Sequence, residues 1–257
     1  MTAILRTTGL TKTFGAVTAA NALDVSIEAG SVVGLIGGNG AGKTTFINLV
    51  TGYLKPTSGR VHFDGLDITG QPPRLITRLG LCRSFQIPQV FDSLTTHENL
   101  LVGLGIVSMG RKAFIGSALG RQPPETIAEE MLQRFRLGPY RDQPASTLPE
   151  GVRKLLDIAM ALAVKPRILL LDEPTSGVSA DEKFALMDLV LGAIRAEKVT
   201  VLFVEHDMDI VRRYTQRIVA FYDGKVIADA DSATVLSNPE VRRLVVGEQA
   251  PEEAAPC

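Results

Sequence analysis

Gly37-Gly38-Asn39-Gly40-Ala41-Gly42-Lys43-Thr44 is the stretch that decides how this chain is read. It fits the phosphate-binding pattern G-x-x-x-x-G-K-[ST] without a mismatch. Residues 31–36, Ser-Val-Val-Gly-Leu-Ile, read as a buried strand before it, and residues 43–53 as the helix after it. Small residues in the loop let consecutive backbone N–H groups turn inward around a phosphate. The helix N-terminus adds roughly half a positive charge behind them. Lys43 is placed to reach the β- and γ-phosphates, and the Thr44 hydroxyl to take a position on Mg²⁺. Gly37, Asn39, Gly40, Ala41, Gly42, Lys43, Thr44 and Thr45 are the candidate contacts of a nucleoside triphosphate.

A second element bears on the reaction. Ile168-Leu169-Leu170-Leu171 reads as a strand buried on both faces, and it runs into two adjacent carboxylates, Asp172 and Glu173, then Pro174. Ligands of open parallel sheets bind at that strand end. Asp172 is expected to hold Mg²⁺ through its water shell, and Glu173 to point at the γ-phosphate and polarise an attacking water.

The bulk composition narrows the setting. The chain has 257 residues, 45% of them hydrophobic, enough for a sizeable core. No apolar run approaches the roughly 20 residues that cross a bilayer, and residues 1–6 lack the pattern of a signal peptide. A formal net charge of −1 gives nucleic acid no electrostatic attraction. Cys82 and Cys257 have no metal-ligand neighbours at useful spacing, and a reducing cytoplasm is the simplest home.

Strand-like runs at 4–11, 23–27, 31–36 and 60–63 fill the first third, with Asp64-Gly65 turning a hairpin into 66–68. From about 87 to 163 the pattern is mostly helical, including an amphipathic helix around Ile127, Met131, Leu132 and Phe135 and another over 153–162. Alternation then returns: strand 168–171, helix 180–195, strand 200–204, helix 208–214, strand 218–222, a turn at Asp223-Gly224 and strand 225–229. This alternation argues a mostly parallel sheet wrapped by helices, an α/β fold. Residues 1–248 are expected to form one domain, with core segments 1–86 and 164–248, and the Pro/Ala/Glu-rich tail 249–257 to be disordered.

Taken in order, these motifs resemble the ATP-binding subunit of an ABC transporter, over roughly residues 4–248. The resemblance implies a P-loop NTPase core with a mostly parallel sheet, an antiparallel β subdomain and an inserted helical subdomain at about 87–163. It implies ATP and Mg²⁺ as cofactors and ATP hydrolysis coupled to transport. Phe14 matches the early aromatic that stacks on adenine. Gln86, in Arg83-Ser-Phe-Gln86, matches the loop glutamine that reaches Mg²⁺ and the attacking water and signals to the membrane subunit. His206 matches the switch histidine that hydrogen-bonds the γ-phosphate.

The chain departs from the family at the signature, ordinarily Leu-Ser-Gly-Gly-Gln, which here reads Leu148-Pro149-Glu150-Gly151-Val152. In the family two ATPase subunits pack head to tail, and each signature closes over the other's ATP. Pro149 offers neither hydroxyl nor N–H. Glu150 places a carboxylate where it competes with phosphate for the helix dipole. Loss of one charge-assisted hydrogen bond costs on the order of 1.5–3 kcal/mol. The defect falls on the partner's site, so a heterodimer with a second ATPase is favoured over a homodimer. The alternative is that the subfamily tolerates the change. Ser179, where Asp is common, is still expected to cap the helix starting near Ala180.

Transport would then reside in separate permease subunits, met by the helical middle near Val90-Phe91-Asp92, with a periplasmic binding protein acting indirectly. The chain would sit peripherally on the cytoplasmic face of the membrane. The run Arg83-Ser-Phe-Gln86, the stretch of roughly 25 residues after Leu104 and the ending Val245-Val-Gly-Glu248 resemble ATPases of branched-chain amino acid importers, with urea, amides and aromatic acids as neighbouring cargoes. A soluble ABC ATPase of translation or DNA repair is disfavoured by the single motif set and the lack of a heptad run. A P-loop kinase is disfavoured by Glu173 with His206.

Overall fold

Every residue of the strand leading into the glycine loop is buried, because that strand lies in the middle of a sheet covered on both faces. The computed structural model describes residues 3–84, 88–111 and 122–247, with backbone alone for 106–111. The elements run β1 (Ala3–Phe14), β2 (Val17–Leu23), β3 (Ser26–Glu28), β4 (Val32–Gly37), α1 (Lys43–Val50), β5 (Ser58–Phe63) and β6 (Leu66–Asp67). They continue with α2 (Pro73–Leu79), β7 (Leu81–Ser84), α3 (Thr96–Arg111), α4 (Pro124–Arg134), α5 (Glu150–Ala163), β8 (Ile168–Asp172), α6 (Lys183–Ala196), β9 (Thr200–Val204), α7 (Met208–Tyr214), β10 (Arg217–Tyr222), β11 (Lys225–Asp231) and α8 (Ser232–Ser237).

The principal sheet has the order β11-β10-β4-β9-β8-β7. All its neighbours are parallel except β10 and β11, which form the hairpin that turns at Asp223-Gly224. A separate antiparallel sheet, β2-β1-β5-β6 with β3 on β1, packs over one face. Alternation along the parallel strands divides two cores. Leu169 and Leu171 of β8, with Val201 and Phe203 of β9, enter the core shared with α3 to α7. Ile168, Leu170, Leu202 and Val204 enter the core shared with α1 and the antiparallel sheet. Each such side chain gains about 1.5–3 kcal/mol on burial.

The parallel order places the C-terminal ends of β4, β9 and β8 side by side, and those ends carry the glycine loop, His206 and Asp172-Glu173. The mostly parallel sheet and the antiparallel sheet agree with the fold expected from the sequence, as do helices α3, α4 and α5 between β7 and β8.

Several boundaries differ. The single strand expected at 23–27 is two, β2 and β3, both paired with β1 but interrupted at Asp24-Val25, next to Ala22 with its positive φ of 49°. The Thr7 hydroxyl bridges that break, donating to Leu23 O at 2.9 Å and accepting from Val25 N at 3.0 Å. α1 stops at Val50 rather than 53, where the Thr51 hydroxyl turns back onto Ile47 O at 2.6 Å. α2 was not expected; it starts from a proline at its first position, where a missing N–H costs nothing. α5 starts three residues earlier than expected, at Glu150, with Pro149 as its N-cap. α6 starts three residues later, at Lys183, and the expected side-chain cap from Ser179 does not form. The Ser179 carbonyl instead accepts from Glu182 N and Lys183 N, while its hydroxyl bonds the Glu182 carboxylate. The tail 249–257, Gln86 and the stretch from 112 to 121 lie outside the described residues.

Candidate active site

Gly42 opens α1 with φ +104°, and a Cβ there would stand 2.8 Å from Ala19 O, so no other residue fits without moving β2. No side chain caps α1, and its exposed first-turn Thr44 stands beside N–H groups that have no partner within the helix. The helix is anchored from behind by Phe46 against Phe221 of β10, ring centroids 5.5 Å apart. Such an end is a ready site for phosphate.

Lys43 is buried, and its Nζ donates to Gly37 O at 2.6 Å and Gly38 O at 3.0 Å. Burial pulls its pKa below the ordinary lysine value, against the opposing pull of Glu173 and Asp172. Both carboxylates therefore act on the ammonium, as a phosphate-binding lysine beside a paired-carboxylate strand end requires.

Asp172 ends β8 and pairs with Arg83 of β7, Nη2 to Oδ2 at 2.5 Å, with both side chains nearly buried. Glu173 follows with φ +48°, an unusual conformation for a residue with a side chain, costing about 1–3 kcal/mol. The surroundings enforce it: Glu173 N donates to Val204 O at 3.0 Å, and Glu173 O accepts from Lys154 Nζ at 3.3 Å. Glu173 Oε1 lies 3.1 Å from His206 Nε2. The neighbouring Glu205 is buried, which raises its pKa although Thr175 N and Thr175 Oγ1 donate to it at 2.9 and 2.7 Å. Asp207 caps α7 by accepting from Asp209 N and Ile210 N.

A carboxylate next to an imidazole, both above a lysine and a bare helix end, suits attack of water on a terminal phosphate. Among the described residues no three His, Cys, Asp or Glu side chains gather as a self-sufficient metal cage. Mg²⁺ takes one or two protein oxygens together with substrate phosphates; the exposed Thr44 hydroxyl and the Asp172 carboxylate, whose Oδ2 is held by Arg83, are the oxygens that would serve it.

Phe14 closes β1 with its ring 48% exposed, an open face of the kind a base stacks on, with Lys12 Nζ 5.1 Å from the centroid. Leu148 is buried, Pro149 caps α5, and Glu150 and Gly151 form its first turn, with the Glu150 carboxylate against Gly177 of the loop that follows Glu173.

Four side chains escaped the sequence reading. Arg83 joins Asp172 to Asn48 of α1, its Nη1 donating to Asn48 Oδ1 at 2.7 Å. Asp157 of α5 accepts from Ser84 Oγ at 2.7 Å and Gln89 N at 3.0 Å, on either side of 85–87. Lys154 of α5 and Glu205 after β9 are buried charges that hydrogen-bond the loop after Glu173. A signal existed for α5: Lys154 and Asp157 fall at positions shared with its buried residues Ile158 and Leu162, where charge is costly without partners.

The ABC transporter family model matches residues 20–176. A probable branched-chain amino acid transport ATP-binding protein, LivG of Archaeoglobus fulgidus, is 38% identical over 251 residues, covering 96% of this chain and 96% of its own. Among solved structures, the ADP conformation of MJ1267, an ATP-binding cassette of an ABC transporter, superposes with a TM-score of 0.82 at 32% identity, covering 96% of this chain and 100% of that one. The dimeric post-hydrolysis state of the cassette MJ0796, bound to ADP and Pi, gives a TM-score of 0.74 at 25% identity, covering 88% and 98%.

Proposed function

This chain belongs to the ABC transporter family as one of its ATP-hydrolysing cassettes, and we propose that it drives an importer of branched-chain or closely related amino acids. The observation that carries the reading is the Glu173–His206 pair, 3.1 Å apart at the edge where Lys43 and Asp172 also converge. Glu173 orients and deprotonates the attacking water, His206 steadies both Glu173 and the terminal phosphate, and Lys43 neutralises charge on the phosphates. Thr44 and Asp172 would hold Mg²⁺, which would supply further charge neutralisation. The cargo follows the relative from Archaeoglobus fulgidus, whose name assigns it branched-chain amino acids.

No helix among the described residues is long and apolar enough to cross a membrane. Our reading assigns the translocation path to permease subunits, with this chain working peripherally at the cytoplasmic face. A cleft of about 250 Å³ between the sheet and the helical segment, lined by Tyr53, Thr77, Gln89, Gly103 and Met160, is the surface we assign to the permease. Tyr53 stands 53% exposed at its mouth. Phe91, 44% exposed, lies on the adjoining loop.

The second ATPase is taken to be a different chain with an intact signature, because Pro149 caps α5 without a hydroxyl or N–H. Uptake of radiolabelled leucine by cells carrying Lys43→Ala tests the whole reading: uptake should vanish, and normal uptake would overturn it. Labelled urea and benzoate run in parallel identify the neighbouring cargoes. Turnover of ATP by the purified chain alone, as fast as with its partner, would rule out the heterodimer.

A further inference from the structure

Residues 173–177 form the loop that leaves β8, with Glu173 at its head. Two buried charges hold it from opposite sides. From the end of β9, the Glu205 carboxylate accepts from Thr175 N and Thr175 Oγ1. From α5, Lys154, only 3% exposed, donates to the carbonyls of Glu173 and Ser176. The loop's amides and carbonyls are thus each gripped by an ion of the matching sign.

Lys154 lies four residues after Glu150, so both side chains share one face of α5. Glu150 meets the same loop. Gly177 has φ +73°, and a Cβ there would stand 2.3 Å from Glu150 Oε1. The first two turns of α5 therefore meet the loop that carries Glu173 at two points, Lys154 by hydrogen bonds and Glu150 by close packing against Gly177. Glu150, Glu205 and Glu173 surround the ammonium with negative field, which opposes the effect of its burial.

We propose that Lys154 is a positioning residue for ATP hydrolysis, fixing the Glu173 peptide and tying it to the first turn of α5. The inference rests on the two-chain nucleotide site proposed above. Its consequence is mechanical: a displacement of Glu173 at this chain's own nucleotide is carried to Glu150-Gly151, the helix end that faces the partner's nucleotide. Lys154 acts through backbone carbonyls, so its loss should alter rate and coupling rather than nucleotide affinity.

The test compares Lys154→Met, which keeps the stem without the charge, with Lys154→Arg. In the transporter purified with its native subunits, Lys154→Met should lower kcat for ATP at least tenfold, leave KM within twofold and reduce the Hill coefficient toward one. Lys154→Arg should recover most of the rate. In the isolated chain, hydrogen exchange should quicken at 174–178 and 150–153 together in Lys154→Met, with other helices unchanged. Wild-type kcat and exchange in Lys154→Met would overturn the proposal, as would equal impairment in both variants or a general rise in exchange. A wild-type complex that hydrolyses no ATP would sink the functional reading instead, and exchange in the isolated chain would still judge Lys154.

Discussion

Arg83 Nη2 donates to Asp172 Oδ2 at 2.5 Å while Nη1 of the same guanidinium donates to Asn48 Oδ1 at 2.7 Å. The carboxylate at the end of β8 is thereby braced to the helix that follows the glycine loop, and one planar fork sets the spacing of three elements. Removing one partner from a nearly buried pair leaves the other charge uncompensated. Arg83→Met should therefore destabilise the fold by about 3 kcal/mol, lowering Tm by about 6–12 °C. Added Mg²⁺, which supplies Asp172 with another cation, should raise the variant's Tm more than the wild type's. Calorimetry with and without Mg²⁺ checks both signs.

Glu173 is the candidate base, and its contact with His206 survives replacement of the acid by an amide. Glu173→Gln should lower single-turnover hydrolysis by about 10²–10⁴-fold. Binding of a fluorescent ATP analogue should stay within severalfold of wild type. Loss of binding in parallel with rate would show that the carboxylate serves the fold rather than the reaction.

Phe14 presents a ring face without a hydrogen-bonding edge. Stacking of one base on an aromatic contributes about 1–3 kcal/mol, so Phe14→Ala should weaken ATP binding by about 5–150-fold. Phe14→Trp should retain it. GTP should suffer alongside ATP, because a ring face does not read base edges; titration calorimetry with both nucleotides settles the matter.

Tyr214 ties α7 to α6: its single hydroxyl proton is shared between Asp188 Oδ1 at 2.7 Å and Phe184 O at 3.0 Å. Burial, reinforced by the Asp188 carboxylate, pushes the phenol up to about 12. In the unfolded chain the phenol ionises near 10. The raised value means that the unfolded state loses its proton first, so stability is intact below about pH 10 and falls as the pH climbs toward 12. Urea titrations should show a loss of about 2 kcal/mol across that window, and Tyr214→Phe should remove that part of the slope.

The chain order alone made much of this protein legible. The loop from Gly37 to Thr44, the strand ending in Asp172-Glu173 and His206 after β9 are local words, each readable within about ten residues. Strand 200–204 and helix 208–214 fall where their periodicity places them: the strand alternates between the two cores, and the helix turns Ile210, Val211 and Tyr214 into one of them. Helix starts were less legible: α5 and α6 begin three residues from their expected positions. Proline caps one, and a backbone turn at Ser179 opens the other, so no side-chain cap marks either start.

The inventory of chemistry and the family were thus readable before any folding was considered, since both are written in short, ordered motifs. Only the tertiary structure decided how those motifs are held. Arg83 meets Asp172 across 89 positions, Thr175 meets Glu205 across 30 and Lys154 meets Glu173 across 19. Such partners depend on which strands lie side by side and which helix face turns inward. A charge can be buried only where that packing brings its counter-groups within hydrogen-bond reach.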